Sequence, residues 1–210
     1  MINTHNGVRE KDIPPVDVTK YPAIKNHLDK FYDRLLKRQD QGNTPYNLRS
    51  CAYMDDFSKR KIIYPDIMRM PNQLDLIDTY PYFYYDTDNF YIEATNFMIT
   101  GVNIDLLYLF LASNVGFYAF TKFYSGPQFD STGFRYKKAY LEMMPIPEFS
   151  MEIASKLRKL VIELSKSASN KESIKLQQLS FKINEILERY ICLDTQEKVA
   201  ISEYKKSLLY

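Results

Sequence analysis

Apolar residues recur every three to four positions between Tyr21 and Arg38. Ile24, Leu28, Phe31 and Leu35 fall on one side, and Lys25, Asp29, Lys37 and Arg38 on the other. That period predicts an amphipathic helix, with Gly42 as a stop signal beyond it. From Lys61 the pattern changes. Lys61-Ile62-Ile63-Tyr64 reads as a strand that ends at Pro65. Phe83-Tyr84-Tyr85 and Phe90-Tyr91-Ile92 read as short strands about a turn at Asp86-Thr87-Asp88-Asn89. Asn96 to Thr100 reads as another strand, stopped by Gly101. Asn103 to Ser113 predicts a helix capped by Asn103, and a second helix runs near Val115 to Tyr124. A polar loop, Ser125 to Thr132, follows, and then a basic stretch that closes on Met144-Pro145-Ile146-Pro147. Beyond Ser150 the pattern is helical throughout. Leu157, Leu160, Val161 and Leu164 line one helix; Leu176, Leu179, Ile183, Ile186 and Leu187 line the next. Asp194 with Glu197 predicts a capping pair for a last helix to Leu208.

These elements predict an α+β fold, with a mixed β-rich core flanked by helices and a C-terminal helical hairpin or bundle. Residues 1–20 read as an entry segment, because Pro14-Pro15 forbids a regular helix there. Residues 21–149 read as the main domain and 150–210 as a helical region that packs on it or spaces it from a neighbour. At 210 residues, 45% of them hydrophobic, the chain has ample material for a core.

Charge adds a second layer. The formal net charge is only +2, so the chain is no generic polycation, and nucleic-acid binding would need local segregation of charge. Residues 71–105 contain no Lys or Arg but hold Asp75, Asp78, Asp86, Asp88, Glu93 and Asp105. Between Lys122 and Lys138 four cations, Lys122, Arg135, Lys137 and Lys138, stand against Asp130 alone. One cationic and one acidic face are expected. Tyr80, Tyr82, Tyr84 and Tyr91 have no interleaved cations and read as a sheet core and its rim rather than as base-stacking rings. Cys51 and Cys192, with only His5 and His27 to add, make neither a disulfide framework nor a zinc site, and fit a reducing cytoplasm. His27 reads as a surface histidine on its helix. The uncharged stretch Leu106 to Thr121 is about 16 residues, short of the roughly 20 that span a bilayer. It reads as two buried helices.

The candidate chemistry lies in Gly133-Phe134-Arg135-Tyr136-Lys137-Lys138, three cations and two aromatics on six residues. Ammonium groups neutralise phosphates, a guanidinium can take the two acceptors of a guanine edge, and rings can stack on bases. Arg135, Tyr136, Lys137 and Lys138 are the first candidates, with Lys122, Ser125 and Gln128 nearby. Lys59, Arg60 and Lys61 form a second cationic strip, and Arg49 and Arg69 are secondary candidates. Arg135 and Gln128 are the expected base readers.

Five segments stand in a familiar order: Tyr21-Pro22-Ala23-Ile24-Lys25-Asn26-His27-Leu28, Lys37-Arg38-Gln39-Asp40-Gln41-Gly42, Tyr46-Asn47-Leu48-Arg49-Ser50-Cys51-Ala52-Tyr53, Lys61-Ile62-Ile63-Tyr64-Pro65-Asp66-Ile67, and the basic stretch. Over roughly residues 3–147 the chain resembles the C-terminal target-recognition region of TaqI-like DNA adenine methyltransferases, including the single-chain (type IIG) restriction-modification enzymes built on them. The resemblance implies a double-stranded DNA ligand and a methyltransferase catalytic domain, in the same parent chain or as a partner. It implies that S-adenosylmethionine, and Mg where the parent also cleaves, belong to that domain. Pro127 stiffens a loop that relatives make richer in glycine, so a target sequence does not carry over. The catalytic motifs themselves are missing. Pro14-Pro15 follows Ile13 rather than Asn or Asp, and the six scattered glycines form no phosphate loop. Nucleophile triads lack a credible histidine. No cofactor or metal site, no catalytic residue and no membrane segment is expected. The alternative expectation is a protein-interaction module, in which the tail helices and the acidic segment dock a methyltransferase, nuclease or phage-defence subunit.

Overall fold

The computed structural model describes residues 2–70, 81–93, 95–127 and 133–208, the side chain of Ser169 excepted. The α+β expectation holds. The chain forms two compact units, Met1–Asp55 and Asp56–Tyr210. This division departs from the expected boundaries at 20 and 150. The entry segment shares a unit with the helices after it, and the tail helices share one with the strands.

The first unit is knit by polar groups more than by apolar ones. Its one regular helical stretch breaks into α1 (Pro22–Asp29) and α2 (Tyr32–Leu36), where a single helix was expected. No residue of either is buried, so no core face holds one straight axis. The centre is Asn47, which is buried. Its amide donates to the Val16 carbonyl at 3.0 Å and its side-chain oxygen accepts from Thr44 at 2.6 Å. Its own carbonyl accepts from Arg38 Nη2 at 2.6 Å and from Gly42 N at 3.0 Å. Thr4 is also buried and donates to the Tyr46 carbonyl at 2.6 Å.

The second unit is built on β1 (Lys61–Pro65), the middle strand of an antiparallel sheet ordered β3-β1-β4, with β3 Tyr84–Asp86 and β4 Asn96–Ile99. A separate two-stranded ribbon pairs β2 (Ile67–Arg69) with β5 (Gly133–Arg135). Residues 90–92 are not the expected strand. The buried Asp86 carboxylate instead accepts from Asp88 N at 2.8 Å and Phe90 N at 2.9 Å, which closes a loop without a hairpin. Apolar side chains surround α3 (Ile104–Leu111), so other elements must cover it. α4 (Asn114–Ala119) leaves it at an angle and runs into one π turn, Phe120–Tyr124. The bend is tight: a Cβ at Gly116 would run into the Phe110 carbonyl oxygen. Asn103 was expected to cap α3, but its side chain makes no cap hydrogen bond there. It adopts a left-handed conformation, φ 53°. Among the described residues no single helix is long and apolar enough to cross a membrane, and the apolar α3–α4 pair bends by 69°.

A short α5 (Lys138–Leu141) leads to α6 (Met151–Ser169), α7 (Ser173–Tyr190) and α8 (Thr195–Ser207). α6 and α7 form the expected hairpin, and α8 carries the expected Asp194–Glu197 capping box. The hairpin is no appendage. Leu157, Leu160, Val161, Leu179, Ile183 and Leu187 join the same core as Ile62, Met68 and Phe117.

Lys61 and Asp86 face each other across β1 and β3 as an ion pair, both side chains at 0% exposure. Lys61 Nζ also donates to the Phe57 carbonyl at 2.7 Å. Lys61→Met would leave the carboxylate buried and uncompensated. A loss of about 3–5 kcal/mol is expected from chemical denaturation, and Lys61→Met with Asp86→Asn should lose less.

Tyr64 and Tyr108 are buried in this unit, and burial pushes both hydroxyls up to about 12; Asp66 and Glu142 add to the effect at Tyr64. Their folded pKa lies above the unfolded value near 10, so the stability they confer is complete below that value. It falls as pH rises from there through about 12. A melting temperature measured against pH should drop across that window. A spectrophotometric titration should show late-ionising tyrosines, and both should disappear as late titrators in denaturant.

Candidate nucleic-acid interface

The ribbon places the main cluster. Met68 and Phe134 oppose each other in its register and are buried. The alternation of a strand then assigns Ile67 and Arg69, with Gly133 and Arg135, to the other face. Arg69 is exposed and Arg135 half-buried. Lys137 and Lys138 follow at once and are both exposed, so four cations gather on and just beyond one short ribbon. Arg135 Nε lies 3.8 Å from Asp66 Oδ2, each side chain about a third exposed (33% and 31%). Lys138 pairs with Glu142, at 3.5 Å.

Two of the expected contacts are inside. Tyr136 is buried, its ring stacked on Phe120 at 4.1 Å and set edge-on to Phe83 at 5.5 Å. Its backbone N–H donates to the Asp66 carbonyl at 2.8 Å, which turns the chain so that its ring points into the core. Lys61 is held by Asp86. Neither side chain reaches a ligand in this fold, because each is enclosed by the packing that makes the unit. Both are corrections to the sequence reading.

The remaining candidates disperse. Ser125 is half-buried and its hydroxyl donates to the Thr121 carbonyl at 2.9 Å. Lys122 is exposed but leans over the Tyr204 ring of α8, 5.4 Å from its centroid. Gln128 lies outside the described residues. Arg49 belongs to the first unit and pairs with Asp40 at 3.2 Å. Lys59 and Arg60 sit at the start of β1 and the ribbon at its end, roughly 15 Å apart along the strand. Lys59 pairs with Asp56 at 2.7 Å. Arg60 lies against the Tyr85 hydroxyl, whose pKa burial raises and Arg60 pulls back.

Of the acidic segment, Asp75 and Asp78 lie outside the described residues, and Asp88 and Glu93 are exposed. Asp86 is spent on Lys61, and Asp105 pairs with Arg158 Nε at 3.0 Å. The same region also exposes aromatic rings: Tyr82, Tyr84, Phe90 and Tyr91 are all on the surface, a rim rather than a core. Arg69, a secondary candidate in the sequence, gains its place through pairing with β5. Arg158 escaped the sequence reading, because its reach to Asp105, 53 positions away, leaves no local signal.

Set beside known proteins, the chain matches no family model and no curated protein.

The placement of Tyr136 makes a direct test. Tyr136→Ala should cost about 3–5 kcal/mol of stability, as other buried ring deletions do. Lys137→Ala should stay within about 0.5 kcal/mol, since it removes only a surface ammonium. Denaturant melts of the two variants check the contrast.

Proposed function

We propose that this chain is a sequence-specific DNA recognition module and that the β2–β5 ribbon carries it. The supporting observation is the ribbon's outward face, with Arg69 and Arg135 on it and Lys137 and Lys138 beside it. The major groove, about 12 Å wide, admits a two-stranded ribbon. An arginine on such a ribbon can take guanine O6 and N7 with its planar fork. The two lysines meet phosphates and hold the register, without sequence information.

The order of motifs described above gives the wider reading. The module serves a TaqI-like adenine methyltransferase or a type II restriction-modification enzyme, in one chain or as a subunit. This chain holds the duplex and does no chemistry of its own. The catalytic domain binds S-adenosylmethionine, and Mg where it also cleaves, and flips the adenine. The module works in the cytoplasm, where that DNA is.

A second reading has its own support. The exposed rings of Tyr82, Tyr84, Phe90 and Tyr91 form a surface suited to a protein partner. Charge reversal at Lys137 and Lys138 separates the two readings. DNA affinity falls under the first while partner affinity stays.

Two measurements test the DNA reading. With about two to three phosphate contacts, the log–log salt slope should be near −2 to −3, about a ten- to fortyfold loss between ~50 and ~200 mM salt. A flat response contradicts the proposal. Lys138→Ala should weaken every duplex alike. Arg135→Gln should cost about 1–3 kcal/mol on the preferred site and little on random DNA. If Arg135→Gln instead lowers the melting temperature with discrimination unchanged, Arg135 only braces Asp66.

A further inference from the structure

At the opposite end of β1 from the ribbon lies a cleft of about 500 Å³, walled by Lys59, Arg60, Tyr85, Asn103, Asp105 and Arg158 among others. Its cations come from separate places in the chain, two from the approach to β1 and one from α6. Three cations there answer to two carboxylates, Asp105 beside Arg158 and Asp56 beside Lys59. Arg158 is held in place. Its Nε donates to Asp105 Oδ2 at 3.0 Å and its Nη2 to Asn103 Oδ1 at 2.7 Å. A guanidinium has five N–H donors, so this anchoring leaves three of them for a ligand. The volume is within the range of small-ligand sites, and larger than a bare phosphate needs.

We propose that this cleft is a seat for a phosphate ester, gripped by Arg60 and Arg158 with Lys59 at its edge. Guanidinium forks match phosphate oxygens in pairs, and the surplus of positive charge selects an anion. The room beside the cations accommodates the sugar that the phosphate carries. Asp105 orients Arg158 and also opposes the incoming charge, so it limits the affinity. The chemistry is that of a nucleic-acid backbone or of a free nucleotide. The proposal rests on the DNA reading only for the first of these sources. It also gives α6 a part in ligand binding that a spacer helix would not have.

The test is a chemical-shift titration of the full chain with deoxyadenosine monophosphate, followed by competition with a short DNA duplex. Saturable binding is expected, with shifts at Thr100–Asp105 and around Arg158. Arg158→Gln and Arg60→Gln should each weaken it about tenfold, the range of a charge-assisted hydrogen bond. Asp105→Asn should tighten it. Release of the nucleotide by duplex identifies the backbone as the source. Nucleotide binding that duplex leaves untouched identifies a free nucleotide, and keeps this site even if the ribbon binds no DNA. Absence of saturable binding overturns the proposal. So does unchanged nucleotide affinity in Arg60→Gln, a surface variant that leaves the Arg158–Asp105 pair intact.

Discussion

Lys61 and Asp86 meet out of reach of water, and the second unit is arranged around that meeting. Removing two such charges from water costs several kcal/mol per ion, and their attraction compensates only when every remaining valence is filled. Here the filling is done by the backbone. Lys61 reaches the Phe57 carbonyl, and Asp86 takes the N–H groups of Asp88 and Phe90. One pair therefore ties the approach to β1, the β1–β3 register and the loop after β3. A slip of one residue would set Lys61 opposite Tyr85 and strand both charges, so the pair's contribution is to register more than to net stability.

From that register the candidate interface follows. β1 runs away from the pair to Pro65, and Asp66 turns the chain into the ribbon. Tyr136 locks the turn with its backbone bond to Asp66 and its ring on Phe120. Burial of Tyr136 is thus what sends its neighbours Arg135 and Lys137 outward. The aromatic residue of the basic stretch has a structural part to play, and the cations carry the part that meets a ligand.

Much of this was legible. The helical periods after Ser150, the Asp194–Glu197 cap and the strands at 61 and 96 are long or strongly signalled. The alternation Phe134, Arg135, Tyr136, Lys137 also carried the message that Tyr136 points inward, since period two puts it with Phe134. Other features had no local trace. A three-residue strand such as β5 exists only because β2 lies beside it. The break after Asp29 has neither Gly nor Pro to announce it. Lys61 looked like part of a basic strip because its partner lies 25 positions on, where Asp86 looked like part of an acidic one. Letters give charge, but only tertiary pairing says which charges remain at the surface.

The central claim is that duplex DNA meets the outward face of the ribbon. Backbone chemical shifts of the labelled chain, followed as a duplex is added at low salt, test it most directly. The account predicts saturable shifts at Arg69, Gly133, Arg135, Lys137 and Lys138. Shifts confined to the aromatic surface of Tyr82, Tyr84, Phe90 and Tyr91, or none with any duplex, would contradict it.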